Sequence, residues 1–423
     1  KLPPAHYLVI NSPSNSSTHP ICYWNLHDLI NSRSMIDWND QESLIDELEE
    51  RLKNVVSRRM ISDVPLGAFL SGGLDSSLIV AMMQSQSVLP VRTFTVGFHE
   101  STHNEATFAH QVAAHLGTDH TELYVTPAEA MDVIPSLSTI YDEPFADSSQ
   151  IPTVLISKLA RGSVKVALSG DGGDELFCGY APFKRINSLN LLSYIPRGIG
   201  HLLTSLMEKF PSQDKYMSYH FLLKHVSRGF GYPPSQQVFR WMSPFSYNNI
   251  HKLLQKDFTE EYLQTNSWSK IITKDKNTEI INDLSKIFIQ HYLPNDILTK
   301  IDRASMYNGL EVRSPFLSKD IIDFSLKLPN KYKINKGRTK YLLRILSEKK
   351  LPAIISRRKK HGFAIPLAKM IRGPLKEKIE DTLLSSNNSL DDIFNRKNIE
   401  KTLKEHWDGI DNRKPIWAMY MLH

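Results

Sequence analysis

The chain has 423 residues, 41% of them hydrophobic and 23% charged. That is more than one compact domain usually holds and enough apolar material for a real core, which excludes wholesale disorder. The net charge of +6 comes from scattered lysines and arginines, with short clusters at Lys349–Lys350 and Arg357–Lys360. It reads as a solvated surface or a match for a small anionic substrate, not as a nucleic-acid face. Two cysteines, Cys22 and Cys178, form neither a disulfide framework nor a zinc spacing and fit a reducing cytosol. No apolar run approaches the roughly 20 residues of a membrane span, and the opening residues lack the basic-then-apolar order of a secretion signal.

In chain order, the segment through Ser34, with Asn11-Ser12-Pro13-Ser14-Asn15-Ser16-Ser17 inside it, predicts an extended linker. Leu44, Leu48, Leu52, Val55, Val56 and Met60 recur at helical spacing, so residues 42–60 predict an amphipathic helix. Short apolar runs at Leu66–Leu70, Arg92–Phe98, Thr121–Val125 and Val164–Leu168 predict strands. Helical patterns at Ser77–Gln84, Glu105–Leu116 and Pro152–Ala160 lie between them. Alternation of this kind predicts an α/β fold with a parallel, doubly wound sheet, in which ligands bind at the carboxyl ends of the strands. Beyond Tyr180 strand signals fade, and helical stretches such as Ile280–Tyr292 and Lys340–Ser347 predict a large helical elaboration.

Two strand-ending loops carry chemistry. The first is Ser71-Gly72-Gly73-Leu74-Asp75-Ser76-Ser77. Its glycines let successive N–H groups point into one concavity, the following helix adds its positive end, and the serines add hydroxyl donors, which together make a polyphosphate cradle. It lacks the lysine of a Walker loop and contains a carboxylate instead, so Asp75 suggests Mg²⁺ between acid and phosphate. Taken alone, the loop is equally an ordinary strand-to-helix turn. The second is Ser169-Gly170-Asp171-Gly172-Gly173-Asp174-Glu175, with three acids directly after an apolar strand. A helical turn starting here would put Asp171 and Asp174 on one side. Asp174 would then join Asp75 at the metal, and Asp171 or Glu175 would orient or deprotonate an incoming amine. A solvated acidic turn is the other reading.

These loops, in this order, resemble the asparagine synthetase family, and the first resembles the wider ATP pyrophosphatase group. Further matching blocks are Asp142-Glu143-Pro144-Phe145-Ala146-Asp147-Ser148-Ser149, Leu298-Thr299-Lys300-Ile301-Asp302-Arg303-Ala304-Ser305-Met306, Leu310-Glu311-Val312-Arg313-Ser314-Pro315-Phe316-Leu317, and Gly362-Phe363 with Pro366. The resemblance implies adenylation of a carboxylate by ATP with release of pyrophosphate, then displacement of AMP by ammonia. It implies that Ser71, Gly72, Gly73, Asp75, Ser76 and Ser77 hold pyrophosphate and that Asp75 and Asp174 bind Mg²⁺. It places Leu70, Val96, Ser169 and Gly170 at nucleotide-contacting positions and Asp171 near the incoming nucleophile. Lys340 would stabilise charge on the α-phosphate, with Lys300 and Arg303 as further phosphate-facing cations.

The implied organisation is the tail of a glutaminase domain plus linker over 1–39, an ATP pyrophosphatase core over 40–185 and a helical part over 186–423. The expected cofactors are ATP and Mg²⁺, and the expected substrates are aspartate or a similar carboxylate together with ammonia. A glutaminase domain outside this chain and a second copy of the chain are the expected protein partners. Neither nucleic acid nor membrane is expected, and the expected location is cytoplasmic. Closure of an internal amide, as in β-lactam synthetases and lasso-peptide cyclases, is the alternative within the fold; a Tyr–Glu pair serving as base would favour it. A tRNA-modifying ATP pyrophosphatase is the alternative from another class.

Three departures stand out. The chain starts at Lys1 with Leu2-Pro3-Pro4-Ala5-His6-Tyr7, like the end of a glutaminase domain, so it is expected to be a piece of a longer protein. Ser318 stands where Asp is common, which puts the local helix start in doubt. Cys178 stands where glycine is usual and is expected to be a small buried residue. His103, His110, His115 and His120 sit close together but not at metal-ligand spacing. The aromatic piece Phe239–Tyr247 predicts core or interface packing.

Overall fold

The computed structural model describes residues 2–10, 19–26, 40–99, 104–209, 219–258, 280–358, 365–385 and 390–423. Lys1, the Asn11–Ser17 stretch, His103 and Gly362-Phe363 lie outside the described residues. A two-residue ribbon pairs His6–Tyr7 with Ile21–Cys22 antiparallel.

At the centre is a five-stranded parallel sheet: β1 Leu66–Phe69, β2 Arg92–Phe98, β3 Asp119–Val125, β4 Val166–Leu168 and β5 Glu311–Arg313. The spatial order is β3-β2-β1-β4-β5. The chain runs outward from β1 through β3, then returns to add β4 on the other side of β1. The order therefore reverses between β1 and β4, and both candidate loops leave the sheet at that crevice, where open α/β sheets bind ligands.

Helices that position the site are α1 Gln41–Met60, α2 Leu74–Gln84, α3 Ala106–Leu116, α4 Gln150–Arg161, α5 Gly173–Leu176, α6 Thr299–Tyr307 and α7 Tyr341–Lys350. Asp40 caps α1, its side chain accepting from the Glu42 and Ser43 amides. Leu44, Leu48, Leu52 and Val56 of α1 pack with α2 and α7 against Ala68, Leu70 and Leu168 on one face of the sheet. On the other face Phe94, Val96 and Ala167 meet Ile151 and Val154 of α4 and the buried Trp417 near the carboxyl end.

Strand β5 corrects the expectation that strands end near Tyr180. It is three residues long, and its first residue, Glu311, is exposed, so it carries no apolar run for periodicity to detect. The helix expected over 280–292 is α-helical only to Ile287 and continues as π-helix over Phe288–Leu298. Pro294 lies inside and has no amide to donate, which favours the wider turn; the Thr299 hydroxyl donates to the Pro294 carbonyl at 2.9 Å. Ser318 precedes helix Lys319–Lys327 without any side-chain capping bond.

Candidate active site

The first loop is shaped by close packing. Gly72 has φ +65°, and a Cβ there would fall 2.5 Å from the Ala109 amide of α3, so only glycine brings the loop this near the helix. The Ser71 amide donates to Ser76 Oγ at 3.2 Å, the two hydroxyls lie 3.0 Å apart, and the Gly73 amide donates to Ser71 Oγ at 3.3 Å. Ser77 is fully buried, and its hydroxyl meets no hydrogen-bond partner among the described residues. A buried hydroxyl in the first turn of α2, beside amides at the positive helix end, suits a phosphate oxygen. Leu70 and Val96 are buried core side chains.

The second loop interlocks with the first. A Cβ on Gly170 would fall 2.6 Å from the Ser76 amide, and one on Gly173 would fall 2.6 Å from Asp75 Oδ1. The glycines thus admit the Asp75 carboxylate between the loops. Gly173→Ala is expected to push that carboxylate aside and reduce magnesium-dependent ATP binding at least about tenfold, measured by calorimetric titration; unchanged binding would show that the contact is unimportant.

Asp75 and Asp174 then meet at one cation. Lys340 Nζ is paired with Asp75 Oδ2 and lies 2.5 Å from Asp174 Oδ1, and its side chain is 6% exposed. Lys340 stands at the start of α7 in the left-handed region, φ +54°, with its amide donating to the Phe177 carbonyl at 3.1 Å. A side chain on Gly179 would collide with both Asp174 and the Lys340 stem. Burial alone would lower the Lys340 pKa, but Asp174 and Asp75 outweigh it and raise it.

Among the described residues no group of three or more His, Cys, Asp and Glu could hold a metal ion. Two hard carboxylate oxygens from facing loops, next to a phosphate cradle, nevertheless fit Mg²⁺, which keeps waters and substrate phosphates in its shell and takes one or two protein carboxylates.

Asp171 does not share a helical face with Asp174. Gly172 takes φ +96° and α5 begins only at Gly173, so Asp171 precedes the helix that carries Asp174. Burial raises the Asp171 pKa against the lowering effects of the Ser169 hydroxyl and Lys300. Ser169 Oγ also lies 3.0 Å from Ser314 Oγ, beside β5. Glu175 is 2% exposed and accepts from the Tyr180 hydroxyl, with Tyr180 stacked on Phe288.

Lys300 reaches Asp147 Oδ2 at 2.8 Å, and Asp147 is held in turn by the Ser149 amide at 2.9 Å and the Ser149 hydroxyl at 2.7 Å. Burial pushes Asp147 up, but Lys300 and Ser149 outweigh it and hold the carboxyl well below its ordinary value. Asp296 is pushed up to about 8 by burial and by Asp147. Arg303 is not brought to the loops: it pairs with Asp142 at 2.6 Å on an exposed surface.

Three contributors escaped the sequence. Asp147 lay inside a recognisable block without a signal of its own, and Asp296 lies just ahead of the block that begins at Leu298. Arg358, read as part of a solvated basic cluster, instead pins the first loop: it donates to the Gly72 carbonyl at 2.9 Å, pairs with Glu105 at 2.6 Å and stacks over Phe108. Arg358→Ala is expected to raise KM for ATP about tenfold and to cost about 3 kcal/mol, because Glu105 loses a buried cation; steady-state kinetics and denaturant melts check both.

With this geometry in place, the sequence model of the asparagine synthase family matches residues 47–423. The chain belongs to the asparagine synthase family. Among its relatives is Asparagine synthetase [glutamine-hydrolyzing] 1 of Bacillus subtilis, 31% identical over 90% of this chain and 58% of the relative. A putative asparagine synthetase [glutamine-hydrolyzing] of Mycobacterium tuberculosis is also 31% identical, over 90% of this chain and 57% of the relative. Amidase chry2 of Gibberella zeae is 24% identical over 92% of this chain and 61% of the relative. The chain thus spans somewhat more than half the length of these asparagine synthase relatives. Among the described residues no helix is long and apolar enough to cross a membrane.

Cys178, where this family is expected to carry glycine, has φ +59°, the left-handed region that favours glycine. It is fully buried and burial raises its thiol pKa, so it is an unreactive packing residue.

Proposed function

We propose that the protein is an ATP-dependent, AMP-forming ligase that makes an amide from a carboxylate and ammonia, with an aspartate-like side-chain carboxylate as acceptor. The observation that carries this reading is the convergence of Asp75 and Asp174, from two strand-capping loops, on one cation position beside the serine cradle.

In the first step an acceptor carboxylate oxygen attacks the α-phosphorus of ATP. The bond from that phosphorus to the bridging oxygen breaks, and pyrophosphate leaves with the electron pair. Ser71, Ser76, Ser77 and the loop amides bind the leaving diphosphate, and Lys340 moves from its carboxylate partners to the α-phosphate oxygens as charge grows there. Bound Mg²⁺ would supply charge neutralisation between the phosphates and the two carboxylates. In the second step ammonia attacks the acyl carbon, the bond to the AMP oxygen breaks, and AMP departs with that pair. Asp171, its pKa raised by burial, takes the proton that the nitrogen sheds.

Internal amide closure would draw on the Tyr180–Glu175 pair. Neither residue lines the large cavity beside the second loop, whereas Tyr292, which packs edge-on against Tyr180, does.

Exchange of labelled pyrophosphate into ATP, measured across a set of carboxylic acids with ammonium as nucleophile, tests the reading. Acid-dependent exchange with AMP as product is expected; ADP as the sole nucleotide product would overturn it.

A further inference from the structure

Beside the second loop lies a cavity of about 970 Å³. Asp147 and Asp296 line it, and Lys300, bonded to Asp147, stands behind them toward Asp171. Its remaining wall mixes aromatic side chains, among them Phe239, Phe245, Phe288, Tyr292 and Trp417, with the cations Arg228, Arg240 and Lys414 and several hydroxyl and amide groups. The piece Phe239–Tyr247 therefore contributes to a cavity wall and not only to core.

The size of the cavity disagrees with free aspartate as the sole occupant. Even if each of its heavy atoms took the share of liquid volume that a water takes, roughly 30 Å³, aspartate would fill only about 270 Å³. The charged groups of the wall suit an amino-acid end of the ligand. A molecule as small as aspartate leaves the aromatic side chains uncovered, and their contribution to binding comes from covering apolar surface. A cavity of this volume, whose wall combines aromatic side chains with charged and polar ones, is the form of a site for a larger amphipathic ligand.

We propose that the acid activated here is much larger than aspartate, one whose carboxylate passes the Asp147–Lys300 pair toward the second loop while an aromatic or other apolar body fills the cavity. The inference rests on the adenylation reading above and names the substrate class of that same site.

The test is acid-dependent pyrophosphate exchange with three probes: aspartate, N-benzoylaspartate and aspartyl-phenylalanine. At least one of the larger acids is expected to exceed aspartate in kcat/KM by about tenfold, since burying a ring against this wall is favourable. Gln236 lines the cavity and is half-buried. Gln236→Trp, which occupies the space meant for the apolar body, is expected to abolish that advantage, lowering kcat/KM for the larger acids at least about tenfold more than for aspartate. Aspartate equalling or exceeding both larger acids overturns the inference and leaves adenylation standing. Equal losses for every acid in Gln236→Trp, at unchanged melting temperature, also overturn it. Exchange with none of the acids overturns the adenylation reading as well. Should Gln236→Trp fail to fold, the ranking of the three acids by the unsubstituted protein decides alone.

Discussion

Lys340→Met is expected to slow pyrophosphate exchange about 10²–10³-fold, the usual loss when one preorganised charge at a transition state is removed. The same substitution is expected to destabilise the nucleotide-free protein by about 3 kcal/mol, because two largely buried carboxylates, 17% and 20% exposed, lose the cation they share. Both effects come from one arrangement: Lys340 is 6% exposed and bound to Asp75 and Asp174 together. Its raised pKa fixes the pH window. The stabilisation is fully present below the ordinary lysine value of about 10.4 and is lost only as pH rises through the still higher folded value. Magnesium without nucleotide is expected to raise the melting temperature of Lys340→Met more than that of the parent, since the variant leaves the two carboxylates for the ion. Scanning calorimetry with and without magnesium checks this, and an undiminished exchange rate would remove Lys340 from the chemistry.

Asp296→Asn is expected to flatten the pH dependence of stability between about pH 4 and pH 8. Burial, with Asp147 beside it, pushes the Asp296 carboxyl up to about 8, whereas in the unfolded chain it ionises near the ordinary value of about 3.9. Between those values the folded state holds a proton that the unfolded state has released. Its contribution is thus complete below about pH 4 and is lost as pH climbs to about 8. Asn keeps an uncharged donor at the site, so the variant should gain on the parent as pH rises, on the order of 3 kcal/mol at the alkaline end. Denaturant melts at a series of pH values measure it; parallel profiles for parent and variant would show that Asp296 does not carry the proton. Asp147, held low by Lys300, contributes in the opposite sense and only in strong acid.

The boundaries of the early elements followed from periodicity because those elements bury whole faces. The helix expected over 42–60 forms over Gln41–Met60, and the strand expected over 92–98 forms over Arg92–Phe98. Strand β5 was not legible, since three residues starting on an exposed Glu311 take their place from the unpaired edge of β4 and from no preference of their own.

The candidate site divides in the same way. Sequence by itself determined the two glycine-rich loops and their carboxylates, because a tight turn, a close backbone approach and a helix start each demand particular residue types within a few positions of one another. Tertiary structure alone decided that Asp75 and Asp174 share Lys340, that Lys300 pairs with Asp147, that Arg303 pairs with Asp142 on an exposed surface and that Arg358 braces the first loop. These are relations between side chains far apart in the chain, fixed by how β1 and β4 pair and how α7 packs across them. No local pattern encodes a distance of that kind.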